Sequence, residues 1–144
     1  MNCPTKLAAG LSFERTPDGP RLVVSREIGA APAVAWRLLT DTHRWPVWGP
    51  SVVGVACEGR FVQAGTCGHV RTVGGLELPF RVTECADRRW TWRVAGVPAT
   101  GHRVEPLESG CRVAFEIPPL AAPYALVCRR GLATIERLAR DATE

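Results

Sequence analysis

LAAPYALVCRRGLATIERLARDA, residues Leu120 to Ala142, decides the architecture of this chain. Tyr124, Val127, Cys128, Gly131, Ile135 and Leu138 recur at three- and four-residue spacing, the stripe of a helix that buries one side. Arg129, Arg130, Glu136, Arg137 and Arg140 fall elsewhere around it. At 1.5 Å per residue, about 20 residues of helix reach ~30 Å, enough to cross a sheet. Gly131 and Ala133 are small and leave room for bulky side chains opposite. Such a helix needs a sheet to lie on.

The stretch before it supplies one. SVVGVACEG, GTCGHVRTVGG, LELPFRVTECA, RRWTWRVAG, HRVEPLE and GCRVAFEIPP alternate and are separated by turn residues, with VPATG read as a turn into HRVEPLE. Leu76, Leu78, Phe80 and Val82 share one face, with Glu77, Arg81 and Thr83 opposite. Trp90, Trp92 and Val94 oppose Arg89, Thr91 and Arg93. Cys111, Val113, Phe115 and Ile117 oppose Arg112, Ala114 and Glu116. With the β-branched RLVVSREI (Arg21–Ile28) the count is about seven strands at the usual length of ~5–6 residues, in an antiparallel sheet with one wet face. Residues before Arg21 read as a polar, Pro/Gly-containing lead-in.

Between the first strand and the rest stand two short helices. GAAPAVAWRLLTD carries Pro32 at a first helical position and Val34, Trp36, Leu38 and Leu39 at helical spacings. Asp41 or Thr42 then caps a second turn, THRWPVW, which Pro46 and Pro50 hold short. Trp45 and Trp48 in that turn read in two ways. They are a hydrophobic clasp tying helix to sheet, or the rim of a pocket.

Bulk properties narrow the function classes. The 144 residues are 46% hydrophobic and 22% charged, which suits one folded domain over residues 1–144 with an ordered core at about 20–140. No apolar run approaches the ~20 residues of a membrane span. The start lacks the apolar run of a secretory signal, so the expected location is cytoplasmic. The net charge is +4, carried by arginines, with Lys6 the single lysine. Those arginines are scattered rather than clustered, which argues against nucleic acid. Six cysteines, Cys3, Cys57, Cys67, Cys85, Cys111 and Cys128, show no C-x-x-C pair and no zinc spacing. They read as reduced structural residues.

The order of elements and several segments resemble the START-like, or SRPBCC, superfamily with its helix-grip fold, and within it the polyketide cyclase/dehydrase-type family. The carrying residues are IGAAPAVAWRLLTD followed by WPVW, then Gly59 and the Gly65-Thr66, Gly68 turn. PFRVTE, DRRWTWRV, GHRVEP, GCRVAFEIP and the helix from APY complete the likeness, which runs from about Leu22 to Ala139. The resemblance implies an α+β helix-grip fold with an apolar cavity between a curved sheet and the C-terminal helix. WPVW would then lie at the entrance or along the inner wall.

Within that frame the candidate ligand-binding residues are Trp45, Trp48, Phe80, Trp90, Trp92, His102, Phe115, Tyr124 and Cys128. Pockets for small molecules are mainly apolar and aromatic, with few polar groups. His102 is in phase with Val104 on the presumed inner face and is the one candidate catalytic acid/base, or else a satisfied core histidine. His69 and His43 are expected outside. Arg71 and Glu84 are possible inward charges, and Glu84 at a strand end is otherwise exposed. The chain lacks a nucleophile elbow, a zinc-protease motif, a P-loop and a dinucleotide fingerprint. A site without metal or cofactor is expected.

The leading expectation is binding of a lipid-like, aromatic or polyketide-like small molecule in that cavity. The alternative is a polyketide cyclase, aromatase or dehydratase using the same cavity, with His102 as acid/base and Tyr124 or Arg71 donating to an enolate. A third class is an interaction module acting through a sheet edge or the arginine side of the last helix. As partners the reading names a hydrophobic small molecule and no nucleic acid, with the chain a monomer or homodimer.

Overall fold

The computed structural model describes residues 5–142. One antiparallel sheet of nine strands runs in the order β1-β2-β3-β9-β8-β7-β6-β5-β4. Its strands are β1 (Thr5–Ala8), β2 (Leu11–Thr16), β3 (Gly19–Ile28), β4 (Val52–Cys57), β5 (Cys67–Thr72), β6 (Glu77–Ala86), β7 (Arg89–Val94), β8 (Val97–Pro106) and β9 (Cys111–Ile117). The helices are α1 (Pro32–Thr40), the single turn α2 (Trp45–Trp48) and the long α3 (Ala125–Ala142), with 3-10 turns at Thr42–Arg44 and Pro119–Tyr124.

The helix-grip expectation holds, with a correction to the strand number. The lead-in is itself a hairpin, so the sheet has nine strands rather than about seven, and the two short helices follow the third strand. Thr16 and Asp18 close the turn from β2 into β3: Thr16 Oγ1 donates to the Gly19 carbonyl at 2.9 Å and accepts from the Asp18 amide at 3.1 Å. β1 is exposed along its whole length, so no buried–exposed alternation marks it. Both end strands are irregular, with register shifts between Lys6 and Ala8 in β1 and between Val52 and Gly54 in β4.

Local geometry shifts several residues from their expected places. The β7–β8 turn is Ala95-Gly96, both at positive φ, so VPAT lies inside β8 and not in the turn. Leu76 is 65% exposed in the turn before β6, not on the inner face. A bulge between Val82 and Glu84 reverses the phase of β6, turning Glu84 out and Cys85 in. Ala133 faces solvent, while Cys128, Gly131, Leu132, Ile135 and Ala139 form the buried stripe of α3. Cys3 lies outside the described residues.

α3 lies across the inner face and is tied to β3 by an Arg26–Glu136 ion pair at 2.9 Å. At Gly131 it touches α2 closely, since a Cβ there would stand 3.0 Å from the Trp48 carbonyl and 3.6 Å from Phe115 Cε2. Gly131→Val is therefore expected to push α2 off α3 and to cost about 1–3 kcal/mol, read by thermal denaturation together with the near-ultraviolet circular dichroism of the tryptophans. An unchanged melting point and spectrum would mean the helices have slack there.

The outer face is not simply wet. Val23, Ala114 and Glu116 are buried on it. Glu116 folds over Gly101, whose missing Cβ would meet its Oε1 at 2.8 Å. Arg89 and Arg103 hold the Glu116 carboxylate at 2.7 Å each. Arg103 continues to Glu14 on β2 at 2.7 Å, and Arg89 to Asp18 at 2.8 Å. An ion network thus stitches the first hairpin across the back of the sheet.

Candidate functional site

Asp41 sets the entry to α2. Its carboxylate accepts from the His43 amide at 3.0 Å and takes both Arg60 Nε and Nη2 at 2.9 Å. Burial pushes the Asp41 carboxyl up, but the Arg60 and His43 contacts outweigh it and hold it below the ordinary value. The following turn drops both indoles of WPVW into the interior. Trp45 Nε1 donates to the Leu39 carbonyl and Trp48 Nε1 to the Leu38 carbonyl, each at 2.9 Å. Those carbonyls belong to the unpaired last turn of α1, so each tryptophan both fills the core and caps a helix. Trp45 and Trp48 thus clasp α1 to the interior, and both also border the inner space.

Inside, the aromatic residues stack rather than enclose a void. Trp90 lies parallel to Trp45, with centroids 5.2 Å apart, and to His102 at 3.9 Å. Phe80 and Trp92 meet these rings edge-on at 5.5 and 5.4 Å. Phe115 packs on Trp48 at 5.6 Å and on His102 at 5.2 Å. The space left beneath Trp48 and Cys128 is about 40 Å³. That takes a water-sized group, whereas about 150 Å³ is what admits a benzene ring. The expected cavity between sheet and α3 is reduced to this small space by the side chains expected to line it.

The open apolar space lies one layer outward. A cleft of about 360 Å³ runs between strands β4 to β8 and the 3-10 turn at Pro119–Tyr124, walled by Val70, Leu78, Trp92, Val94, Pro98 and Ala121. Ser51, Val52, Trp92, Thr100 and Tyr124 border both the cleft and the inner space. None of the residues lining either is charged. At the rim, Ser51 and Tyr124 hydroxyls hydrogen-bond to each other, joining the segment before β4 to the foot of α3. Partial burial raises the Tyr124 phenol, with the Ser51 contact opposing the shift.

His102 is 3% exposed. Its pKa is pushed down to about 3, by burial first, against the opposing pull of the Trp90 carbonyl and the Glu116 charge. The ring is neutral throughout the neutral range. Burial pushes the Cys128 thiol up to about 12, so it stays protonated.

Of the nine predicted ligand-binding residues, Trp92 and Tyr124 reach the cleft. Trp45, Trp48, Trp90, His102, Phe115 and Cys128 border only the inner space, and Phe80 borders neither. Arg71 is exposed on the outer side of β5, away from Val70, and Glu84 is exposed too. His43 and His69 are exposed as expected. Sequence reasoning missed Thr100, Pro98 and Val97 because it placed them in a turn. It missed Ala121 because a 3-10 turn has no long stripe to read. In-phase spacing of Thr100 with His102 was the available signal.

A curved antiparallel sheet holding one long helix, with an apolar uncharged cleft at its open end, defines a helix-grip protein. The family model for "Polyketide cyclase / dehydrase and lipid transport" matches residues 20–141. The chain belongs to that family. Solved structures share the fold at low identity. Protein NE0264 from Nitrosomonas europaea is 17% identical, with 84% of this chain and 94% of that chain covered at a TM-score of 0.64. XoxI from Bacillus cereus is 16% identical over 85% and 96%, at 0.66. A protein from Thermobifida fusca is 23% identical over 82% and 92%, at 0.59. No curated protein matches the sequence. Among the described residues, no helix is long and apolar enough to cross a membrane.

Proposed function

We propose that this chain binds a hydrophobic small molecule in the outer cleft, with Trp92 and Tyr124 as its aromatic contacts. The observation that carries the reading is an apolar, uncharged space of about 360 Å³, within the range of ~300–1,000 Å³ that small-molecule sites occupy. Trp45, Trp48, Phe80, Trp90, Phe115 and Cys128 then serve the site from behind, as the packed floor. The cyclase alternative draws its acid/base from His102, which stands behind Thr100. A ring that stays neutral down to about pH 3 has no imidazolium proton to give at neutral pH and is a weak base. Binding is the better-supported of the two.

The test uses native mass spectrometry of the purified protein for any retained molecule, then titration with the apolar probe N-phenyl-1-naphthylamine. Ala121→Arg places a long charged side chain in the cleft from a turn that buries none of its residues. It is expected to weaken the probe by at least about tenfold while leaving the melting temperature within a degree or two, because exposed substitutions seldom disturb stability. Equal affinity in the variant would move the probe, and the function, elsewhere.

A further inference from the structure

The wall between the inner space and the cleft carries hydrogen bonds whose direction can be worked out. His102 Nδ1 lies 3.4 Å from the Trp90 carbonyl, and Nε2 lies 3.2 Å from Thr100 Oγ1. A carbonyl only accepts, so Nδ1 carries the hydrogen of the neutral ring and donates it. Nε2 then offers a lone pair, and the Thr100 hydroxyl hydrogen goes to it. The Trp92 indole N–H donates to the same Thr100 oxygen at 3.3 Å. Thr100 has therefore committed its hydrogen and one of its two acceptor positions. Its remaining capacity is one lone pair, on a residue that borders both spaces.

Trp90 adds a second requirement. Its indole N–H is buried and has no acceptor among the described residues, and the residue borders the inner space. A hydroxyl offers what Thr100 lacks, a hydrogen for its oxygen, and it brings lone pairs of the kind a buried indole N–H on the inner side can use. A ketone or ether has lone pairs alone. To bond Thr100 it must draw the hydroxyl hydrogen away from His102 Nε2, leaving a buried acceptor unmet. A carboxylate enters a site with no charged side chain in its lining, so nothing compensates its lost hydration. The Ser51–Tyr124 pair discriminates less, because it sits at the exposed rim where water competes.

We infer that the site selects neutral apolar alcohols or phenols, with the ligand hydroxyl donating to Thr100 Oγ1. This rests on the cleft being the binding site. The experiment titrates the full chain at pH 7 with 2-naphthol, 2-methoxynaphthalene and 2-naphthoate, followed by proton–nitrogen correlation NMR. 2-Naphthol is expected to bind about tenfold more tightly than its methyl ether, the ratio that one net hydrogen bond gives. It should also shift the Trp92 indole N–H signal, whose acceptor is Thr100 Oγ1, and 2-naphthoate should not saturate. Thr100→Val keeps the shape and removes the oxygen, so the naphthol preference should fall to within about twofold, and Thr100→Ser should restore it.

Equal binding of naphthol and ether in the parent, or a preference for naphthoate, would overturn the hydroxyl assignment and leave the cleft standing. No saturable binding by any of the three would overturn both. The parent series decides the matter even if Thr100→Val fails to fold.

Discussion

Acidification from pH 6.5 to pH 4 is expected to remove roughly 3 kcal/mol of folding stability through His102 alone. Above its ordinary pKa of 6.5 the imidazole is neutral in both the folded and the unfolded chain. Below it the unfolded chain takes up a proton that the folded core refuses until about pH 3. Stability is therefore full above 6.5 and drains away across that window, the reverse of a histidine held by a carboxylate. Against a typical total of about 5–15 kcal/mol the loss is large. Urea denaturation at half-unit pH steps, for the parent and for His102→Phe, checks it. The variant should show a flat profile from pH 6.5 to about 5, above the carboxylate range, whatever its absolute stability, and parallel profiles there would remove His102 as the source.

Glu116→Ala is expected to cost about 3–5 kcal/mol, the range for taking one partner from a buried ion cluster. The carboxylate is 2% exposed and its removal takes the shared, most buried partner from Arg89 and Arg103, whose side chains are 13% and 14% exposed, leaving them Asp18 and the pair Glu14 and Glu105. Arg89 already has one buried nitrogen, Nη1, with no hydrogen-bond partner among the described residues, 3.7 Å from the Glu84 carboxylate. Replacing Glu116, Arg89 and Arg103 together by apolar residues of similar volume should cost less than the single change, since the buried centre then holds no charge; Glu14 and Glu105 keep Arg112, and Asp18 is left at the more exposed end. Denaturant melts of the single and triple variants provide the comparison. If Glu116→Ala cost under about 1 kcal/mol, the cluster would be behaving like an exposed one. Its acid response is separable from that of His102. Burial raises the Glu116 carboxyl, but the hydrogen bonds and charges of Arg89 and Arg103 hold it below 4.5. Its contribution is thus present above 4.5 and lost only as pH falls past that value, after most of the His102 window is spent.

Period and spacing carried the frame of the fold. The stripe of α3 and the alternation in β6, β7 and β9 were legible because burial on one side imposes a period, and the two tryptophans of α2 because prolines fix their turn. β1 and β2 were not legible, since β1 is an exposed edge that imposes no pattern, β2 buries Ser12 rather than an apolar stripe, and Lys6, Glu14 and Arg15 resemble a loop. Glu116 alternated correctly onto the outer face yet is buried there, because spacing assigns a face and says nothing of what folds across it. The candidate site was half legible for a similar reason. Inward phase identified Trp90, His102 and Phe115, but whether inward aromatics surround space or fill it depends on rotamers. Thr100 was lost through a single misplaced turn.

The two irregular end strands bear on how the molecule meets its own copies. An open sheet offers a foreign strand a row of unpaired amides and carbonyls at each end, the template from which aggregates grow. Here one end is a four-residue strand that shifts register between Lys6 and Ala8, and the other shifts between Val52 and Gly54. A straight strand laid along either would lose its pairing within a few residues. The sheet is thus stopped at both ends by its own irregularity, which keeps nine open strands from seeding a fibre.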